Sequence, residues 1–105
     1  MLYLVLLLLA ANDPKHAETL LRHGLVELQQ NRLTTARQDF EAASRLDSQN
    51  PYVWASLAQT YWRLADKPAA LRAAQSAEKL GTGNAHVAHM LTIFYSEAEI
   101  GRAHV

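Results

Sequence analysis

The sequence predicts an all-α protein built of α-α helical hairpins, and two observations support that prediction. Half of the 105 residues are hydrophobic, with only 4 glycines and 3 prolines. Alanine and leucine, which favour helices, dominate the apolar residues, whereas the β-branched residues that favour strands are few. The second observation is that apolar residues recur at spacings of three and four between short polar turns, as they do on one face of a helix.

Composition argues against several classes of function. The 10 Lys and Arg residues balance the 10 Asp and Glu residues, so no net field attracts nucleic acid and we predict no nucleic-acid partner. The chain has no cysteine, which removes disulfides, thiol nucleophiles and cysteine-based zinc sites. It also has no glycine-rich phosphate loop and no nucleophile elbow. The sequence therefore predicts a protein that is not an enzyme and binds no cofactor.

Residues 1–12 form an apolar segment ahead of the helical domain. Residues 2–11 carry no charge and are too few to cross a bilayer, which takes roughly 20 residues. They fit the apolar core of a signal peptide or an N-terminal anchor, although no Lys or Arg precedes them. This predicts an exported or membrane-anchored protein, in a bacterial periplasm or cell envelope, with a membrane tether through 2–11. The alternative is a buried helix of an earlier repeat, in which case we expect a cytoplasmic protein.

The first hairpin is predicted over residues 13–46. Asp13 and Pro14 mark the start of its first helix, because a carboxylate caps free N–H groups and proline suits the first helical position. A polar turn at 31–32 separates this helix from a second one over 33–46. One face of the second helix carries the apolar residues Ala36, Phe40 and Ala43.

The stretch from Pro51 to Leu80 carries the clearest pattern in the chain. Asn50 before Pro51 repeats the combination of a cap and a proline. A helix, a tight turn and a second helix follow. The first helix carries the pattern W-x2-L-A-x2-Y at Trp54, Leu57, Ala58 and Tyr61, and the second carries Ala70, Ala74 and Ala77. This stretch resembles a tetratricopeptide repeat (TPR), whose period is about 34 residues.

A shift of the sequence by one such period lays 17–50 on 51–84 without a gap. We call positions that are one period apart equivalent. The matches fall at positions that set size and packing, and Gly24 falls on Ala58, where we expect the two helices of one repeat to cross closely. Such a period predicts a TPR-like solenoid of α-α hairpins. The matched positions are Ala36 with Ala70, Ala43 with Ala77, Leu46 with Leu80 and Asn50 with Asn84.

A third, partial repeat is predicted over 85–98. Gly81 and Gly83 are expected to end the second repeat in a left-handed turn. After them Ala88, Leu91 and Tyr95 recur at the offsets of Trp54, Leu57 and Tyr61, which predicts another first helix.

The repeat pattern fails after Ala98. Residues 99–105 resemble the translation of a sequencing adapter and are predicted to be a non-native tail; the alternative is a natural short tail. The sequence thus predicts an N-terminal fragment of a longer chain. Its TPR-like domain spans 13–98 and contains about two and a half repeats.

The resemblance implies a function, because the first helices of TPR repeats line a groove that binds peptides or protein segments. We therefore expect a protein–protein interaction scaffold with a protein or peptide partner. The alternative is an appendage domain of a longer enzyme or signalling protein whose catalytic part is missing. The implied groove residues are Leu21, Leu25, Tyr52, Gln59, Trp62, Arg63, His86 and His89.

Some of these groove positions allow further interpretation. Leu21 and Leu25 have the alternative of packing under the N-terminal segment. The basic residues with which one TPR subclass grips a C-terminal carboxylate are absent, so that activity is not implied. Trp54 is expected to be buried, as in the family, whereas Trp62 is expected to be an exposed binding anchor.

Two further expectations concern the third repeat and the charged residues. His86 and His89 lie three residues apart, but two imidazoles make a poor zinc site, and we expect no metal. Because the last helix lacks a partner, Leu91, Ile93 and Tyr95 are predicted to be partly uncovered, and self-association through them is an open alternative. The arginines alternate with acidic residues and are expected to form a solvated face.

Overall fold

The structure is a computed structural model that describes residues 13–103, with the backbone alone for 100–103. The described residues are all-α, which confirms the predicted fold class. They divide into two compact units, one that ends at Gln49 and one that begins at Asn50. The helices are α1 Pro14–Gln29, α2 Leu33–Leu46, α3 Pro51–Arg63, α4 Lys67–Leu80 and α5 Ala85–Ala103.

The N-terminal apolar segment, residues 2–11, lies outside the described residues, so its prediction as an export signal or anchor stays a prediction. The last two residues of the predicted non-native tail also lie outside them. No helix in the described range has the length and apolar character needed to cross a membrane.

The first unit is a hairpin of α1 and α2. The carboxylate of Asp13 accepts a hydrogen bond of 3.1 Å from the backbone N–H of His16 and caps α1. The backbone N–H of Asp13 donates to the carbonyl of Leu46 at 3.3 Å, so the start of α1 adjoins the end of α2. Phe40 is fully buried, and a Cβ atom added to Gly24 would lie 2.6 Å from its Cε1 atom. The prediction of a close helix crossing at Gly24 is therefore confirmed.

The turn of the first hairpin depends on a left-handed residue. Asn31 has φ +61°, and its N–H donates to the carbonyl of Leu28 at 3.0 Å. The N–H of Arg32 donates to the carbonyl of Glu27 at 2.8 Å. These two bonds form a Schellman motif, which satisfies carbonyl groups left open at a helix end.

The turn of the second hairpin repeats this arrangement at the equivalent positions. Ala65 has φ +66°, and its N–H donates to the carbonyl of Trp62 at 3.0 Å. The N–H of Asp66 donates to the carbonyl of Tyr61 at 2.9 Å. Both hairpins therefore turn by the same backbone hydrogen bonds, although Asn31 and Ala65 differ in side chain.

The second unit contains the α3–α4 hairpin and α5, which packs against both of these helices. Asn50 caps α3 by accepting a 3.0 Å hydrogen bond from the N–H of Tyr52. Alanines form most of the buried face of α4, as the repeat pattern predicts. The buried residues of the unit include Val53, Leu57, Ala58, Ala70, Ala74, Ala77, Val87, Leu91 and Phe94.

The glycines after α4 behave differently from each other. Gly83 has φ +82° and takes the predicted left-handed conformation, but Gly81 has φ −98°, so the prediction was wrong for Gly81. Glycine is required at position 81 because there is no room for a side chain. A Cβ atom there would lie 2.6 Å from Cγ1 of Val87 and 2.9 Å from the carbonyl oxygen of Ala77.

Helix α5 is longer than predicted, because it continues to Ala103 rather than ending at Ala98. Glu99 is equivalent to Ala65, where the second hairpin turns, yet Glu99 stays helical. Glutamate favours the helical conformation and no proline follows to stop it. The prediction that 99–105 is not native sequence is independent of this helix and stays a prediction.

Candidate functional site

In the second unit, α3 and α5 run side by side in the same direction. Tyr52 at the start of α3 contacts His86 at the start of α5, with ring centroids 5.5 Å apart. Trp62 at the end of α3 contacts Phe94, further along α5, with centroids 5.9 Å apart. Helical spacing places most of the predicted groove residues along one stripe of these helices. We call this stripe the α3–α5 face, and it comprises Tyr52, Gln59, Trp62, Arg63, His86 and His89.

Asn84 fixes the first end of the α3–α5 face. Its side-chain oxygen accepts hydrogen bonds from the N–H groups of His86 and Val87, at 3.0 and 3.1 Å, and caps α5. Its side-chain nitrogen donates to the Tyr52 hydroxyl at 2.9 Å. One amide therefore ties the start of α5 to the start of α3. The recurrence of Asn50 as Asn84 was the sequence signal for the cap, but the bond to Tyr52 was not predicted.

Trp62 lies at the other end of the face and is half-buried, not the exposed ring that was predicted. Its ring meets Phe94 edge to face, with an angle of 85° between the ring planes, a favourable aromatic geometry. The ammonium group of Lys67 lies 5.5 Å from the Trp62 ring centroid, within the range of a cation–π contact. Sequence reasoning missed Lys67 because it belongs to α4.

The remaining side chains of the α3–α5 face are polar and reach the solvent. Gln59 is half-buried, whereas Arg63, His86 and His89 are exposed. Ile93, at the position equivalent to Gln59, is 42% exposed and adds an apolar element. The face therefore offers amide, guanidinium and imidazole groups beside aromatic and aliphatic surface.

Leu21 and Leu25 belong to the first unit and are described with it. Leu21 is half-buried, and Leu25 is 41% exposed beside Val26, which is 47% exposed. This exposure fits either a contact role or cover by residues outside the described range. Both alternatives for these leucines stay predictions.

Outside the predicted groove, the first unit holds a charged cluster that the sequence analysis missed. The Nδ1 atom of His23 lies 2.5 Å from Oδ2 of Asp39. Arg32 donates two hydrogen bonds to the buried Glu27, at 2.7 and 3.0 Å. Arg32 is exposed as expected, but these bonds hold its guanidinium group against a buried carboxylate, whereas Arg22 and Glu18 pair on the exposed surface.

The cluster shifts the pKa values of its members. The hydrogen bond and negative charge of Asp39 raise the pKa of His23 above its ordinary value of 6.5. The hydrogen bond from Arg32 lowers the pKa of Glu27, against the opposing effect of burial. In return, Glu27 raises the pKa of Arg32. The signal that could have revealed the cluster is Glu27, a charged residue at the position equivalent to Tyr61, where the repeat expects a packing residue.

The described residues contain no group of three or more His, Asp or Glu side chains close enough to hold a metal ion. His86 and His89 thus find no third ligand among the residues that the structure describes. What the α3–α5 face can do chemically is recognise another chain through hydrogen bonds, charge and aromatic contact.

Comparison with protein-family models gives a match. Residues 24–64 match a protein-family model described as TPR repeat, a range that runs from Gly24 in α1 through the whole of α2 and α3. A comparison with curated proteins gives no match. TPR repeats are generally protein–protein interaction modules and are typically non-catalytic. The match agrees with the paired helices, the recurring turn and the repeat period, and it supports the interpretation of the chain as a TPR-repeat protein.

Proposed function

We propose that this protein is an interaction scaffold that holds an extended or helical segment of another protein on the α3–α5 face. The observation that supports the proposal is the alignment of α3 and α5, with the Tyr52–His86 contact near one end and the Trp62–Phe94 contact near the other. Between these contacts lie side chains that both accept and donate hydrogen bonds. A surface of this composition suits a peptide backbone and its side chains.

Preorganisation favours binding at this face. Tyr52 is held by Asn84 at 2.9 Å, and Trp62 is held between Phe94 and Lys67. Side chains that are already ordered lose little conformational entropy when a partner docks. The aromatic rings then act as anchors of the interface.

Charge indicates which segments bind best. Arg63 is exposed at the end of α3, and the Lys67 ammonium group lies close to the Trp62 ring. An acidic residue in the partner, placed next to an apolar residue that covers Trp62, complements this end of the face. Gln59 and His89 then provide hydrogen bonds to the backbone of the segment.

A peptide selection tests the proposal. Peptides are selected from a random phage-displayed library on the immobilised chain, and the Kd of the strongest is measured by fluorescence anisotropy. We expect Arg63→Glu to weaken binding on the order of tenfold, because it reverses the charge at the acidic contact. The matched control is Arg72→Glu, the same change at an exposed position of α4, which should leave Kd unchanged.

The same two variants can also contradict the proposal. Equal loss of binding in Arg63→Glu and Arg72→Glu, or no loss in either, would rule out the α3–α5 face as the binding surface. Circular dichroism of each variant checks that the helices are intact. Because both arginines are exposed, neither substitution is expected to unfold the chain.

A further inference from the structure

Asn84 determines which part of the Tyr52 hydroxyl is left for a partner. The side-chain oxygen of Asn84 accepts hydrogen bonds from two backbone N–H groups of α5, so its nitrogen is the atom that faces Tyr52. That nitrogen donates to the hydroxyl at 2.9 Å, and the hydroxyl oxygen is the acceptor. Because a phenolic hydroxyl accepts and donates at the same time, its own O–H proton is left for another acceptor. In the described part of the chain, Tyr52 makes no further side-chain hydrogen bond.

The imidazole of His86 lies beside the same hydroxyl-bearing ring. The two ring centroids are 5.5 Å apart, and His86 is exposed to solvent. His86 forms no ion pair with any residue that the structure describes. His23 differs, because its Nδ1 atom already lies 2.5 Å from the Asp39 carboxylate. A proton gained by His86 therefore adds a positive charge that no described carboxylate matches.

Carboxylates are scarce on the helices around His86. α3 contains no Asp or Glu, and the first in α5 is Glu97, about 16 Å further along the helix axis than His86. On α4, Glu78 accepts a hydrogen bond from Tyr95, outside the α3–α5 face. The other ionisable groups of α5 before Glu97 are the exposed imidazole of His89 and the Tyr95 hydroxyl. The remaining charged residues of α3 and α4 are basic: Arg63, Lys67, Arg72 and Lys79.

We propose that Tyr52 and His86 bind an acidic side chain of the partner segment, and that binding strengthens as the pH falls and His86 becomes protonated. The Tyr52 O–H donates to the carboxylate, and the imidazolium places a positive charge beside it. This binding of an acidic side chain rests on the function proposed for the α3–α5 face. It adds the partner's chemistry at the end of the face opposite Trp62, and a regulation by pH.

The length of the face sets the spacing of the acidic residues in an extended partner segment. One acidic residue meets Arg63 at the end of α3, and a second meets Tyr52 and His86 at the start. Tyr52 and Arg63 lie about 16 Å apart along the helix axis, at about 1.5 Å per residue. An extended chain covers about 3.3 Å per residue. The two acidic residues are therefore about five positions apart.

The direction of the pH dependence follows from the two groups that meet. A histidine side chain changes its charge between about pH 5 and about pH 8, whereas the carboxylates of a peptide stay ionised above about pH 5. Lowering the pH across this range adds a positive charge to His86 and leaves the partner's negative charge in place. Because the protonated imidazole binds the carboxylate more strongly, binding takes up a proton.

A peptide selected on the immobilised chain at about pH 6 is the probe. It is synthesised with an amidated C-terminus, so that every carboxylate of the probe belongs to a side chain. We expect the selected sequences to share two acidic residues about five positions apart. The Kd of the strongest peptide, measured by fluorescence anisotropy, should rise about tenfold between about pH 5.5 and about pH 8.

Substitutions on both sides of the contact identify the groups responsible. His86→Gln should remove most of the pH dependence of Kd, and so should glutamine in place of the peptide's acidic residue at this end. The matched control is His16→Gln, at an exposed position of the first unit, which should leave the pH dependence unchanged. Calorimetry in buffers of different ionisation enthalpy should show proton uptake on binding near about pH 7, and His86→Gln should abolish it.

The Tyr52 hydroxyl is tested at about pH 8, where an uncharged imidazole leaves it as the main donor. Tyr52→Phe keeps the ring but removes the O–H group, and we expect it to weaken binding on the order of fivefold. The matched control is Tyr95→Phe, because the Tyr95 hydroxyl bonds to Glu78 outside the α3–α5 face. This control should leave Kd unchanged, and circular dichroism checks that both variants keep their helices.

Three results would overturn the proposal: a Kd that is the same at both pH values, a pH dependence that His86→Gln leaves intact, or selected peptides without an acidic residue for this end. If Arg63→Glu still weakens binding in these cases, the function proposed for the α3–α5 face stands and only the acidic contact with Tyr52 and His86 fails. If the selection yields no peptide, or Arg63→Glu binds like the wild type, both proposals fail.

Discussion

The two hairpins of this protein share their backbone design but use different side chains at equivalent positions. In the α1–α2 hairpin, His23 and Asp39 form a pair at 2.5 Å. In the α3–α4 hairpin, the equivalent positions hold Leu57 and Ala73, which are 1% and 2% exposed. One hairpin thus uses a charged pair where the other uses apolar packing.

This difference shows what a helical hairpin of this type requires. The side chain of His23 is 58% exposed, so water and Asp39 both solvate it, whereas Leu57 has no such access. The side chain at this position of the first helix can be polar in one hairpin and apolar in the other, because it is exposed to solvent in the first and buried in the second. The sizes of the residues at the helix crossing cannot vary independently in this way. Each hairpin combines a small residue on the first helix with a residue of matching size on the second: Gly24 with Phe40, and Ala58 with Ala74.

The largest effect is expected from breaking the Phe40 contact. Phe40→Ala removes a fully buried ring and leaves a cavity beside Gly24, which should lower the free energy of unfolding by about 3–5 kcal/mol. Chemical denaturation of the wild type and variant measures this. The variant reproduces the alanine found at the equivalent position of α4, but without the alanine on the first helix.

Gly24→Ala provides the control for this prediction. Alone it should destabilise, since its Cβ atom would lie 2.6 Å from Cε1 of Phe40. When Gly24→Ala is added to Phe40→Ala, it should cause no further loss in the free energy of unfolding, because the double variant has the alanine pair of the second hairpin. Additive losses in the double variant would contradict size complementarity at this crossing.

An intermediate effect is expected at the left-handed turns. Ala65 has φ +66°, a conformation that is unfavourable for an L-residue with a Cβ atom and free of that penalty for glycine. Ala65→Gly should therefore raise the free energy of unfolding by about 0.5–1 kcal/mol, after the entropic cost of glycine is subtracted. Asn31→Gly should gain less, because asparagine tolerates this conformation better than alanine. Equal gains at the two turns, measured by chemical denaturation, would contradict this explanation.

The smallest effect is expected from the pH dependence of the charged pair. Because Asp39 raises the pKa of His23, the pair contributes its full stability below the ordinary value of 6.5. The contribution is lost as pH rises through the raised pKa. The nearby Glu27 and Arg32 stay charged throughout this window, since their pKa values move away from it. We expect the melting temperature to fall slightly as pH rises from about 6 through the raised pKa of His23.

Substitution by the residues of the second hairpin tests this prediction. His23→Leu and Asp39→Ala should each remove the dependence of the melting temperature on pH in this window. The double variant should show the same flat profile as either single variant. If the melting temperature of the double variant still fell with pH, groups other than His23 and Asp39 would be responsible.

Much of the fold could be predicted because its signals are local. Asp13 and Asn50 precede prolines and cap α1 and α3 as expected, and α2 runs from Leu33 to Leu46 as predicted. Capping and proline geometry depend on neighbours in sequence, which a reader of the sequence can see. The repeat period then locates the buried alanines of α4.

The features that were missed depend on contacts between different elements of the fold. Leu91 was expected to be partly uncovered but is only 7% exposed, whereas Ile93 and Tyr95 are exposed as predicted. Gly81 is required by Val87 rather than by its own φ angle. Trp62 is half-buried because Phe94 packs on it. In each case a partner on another element decides the outcome, and periodicity within one helix does not reveal it.

The Schellman turns determine which mutations the hairpins tolerate. The hydrogen bonds that close them join backbone atoms, from Arg32 to Glu27 and from Asp66 to Tyr61, so the turn residues are free to differ. An inserted or deleted residue, however, would change the number of atoms in each hydrogen-bonded ring, so the two bonds that close the turn could not both form. These turns are therefore permissive to substitution and intolerant of changes in length, which preserves the repeat period while side chains vary.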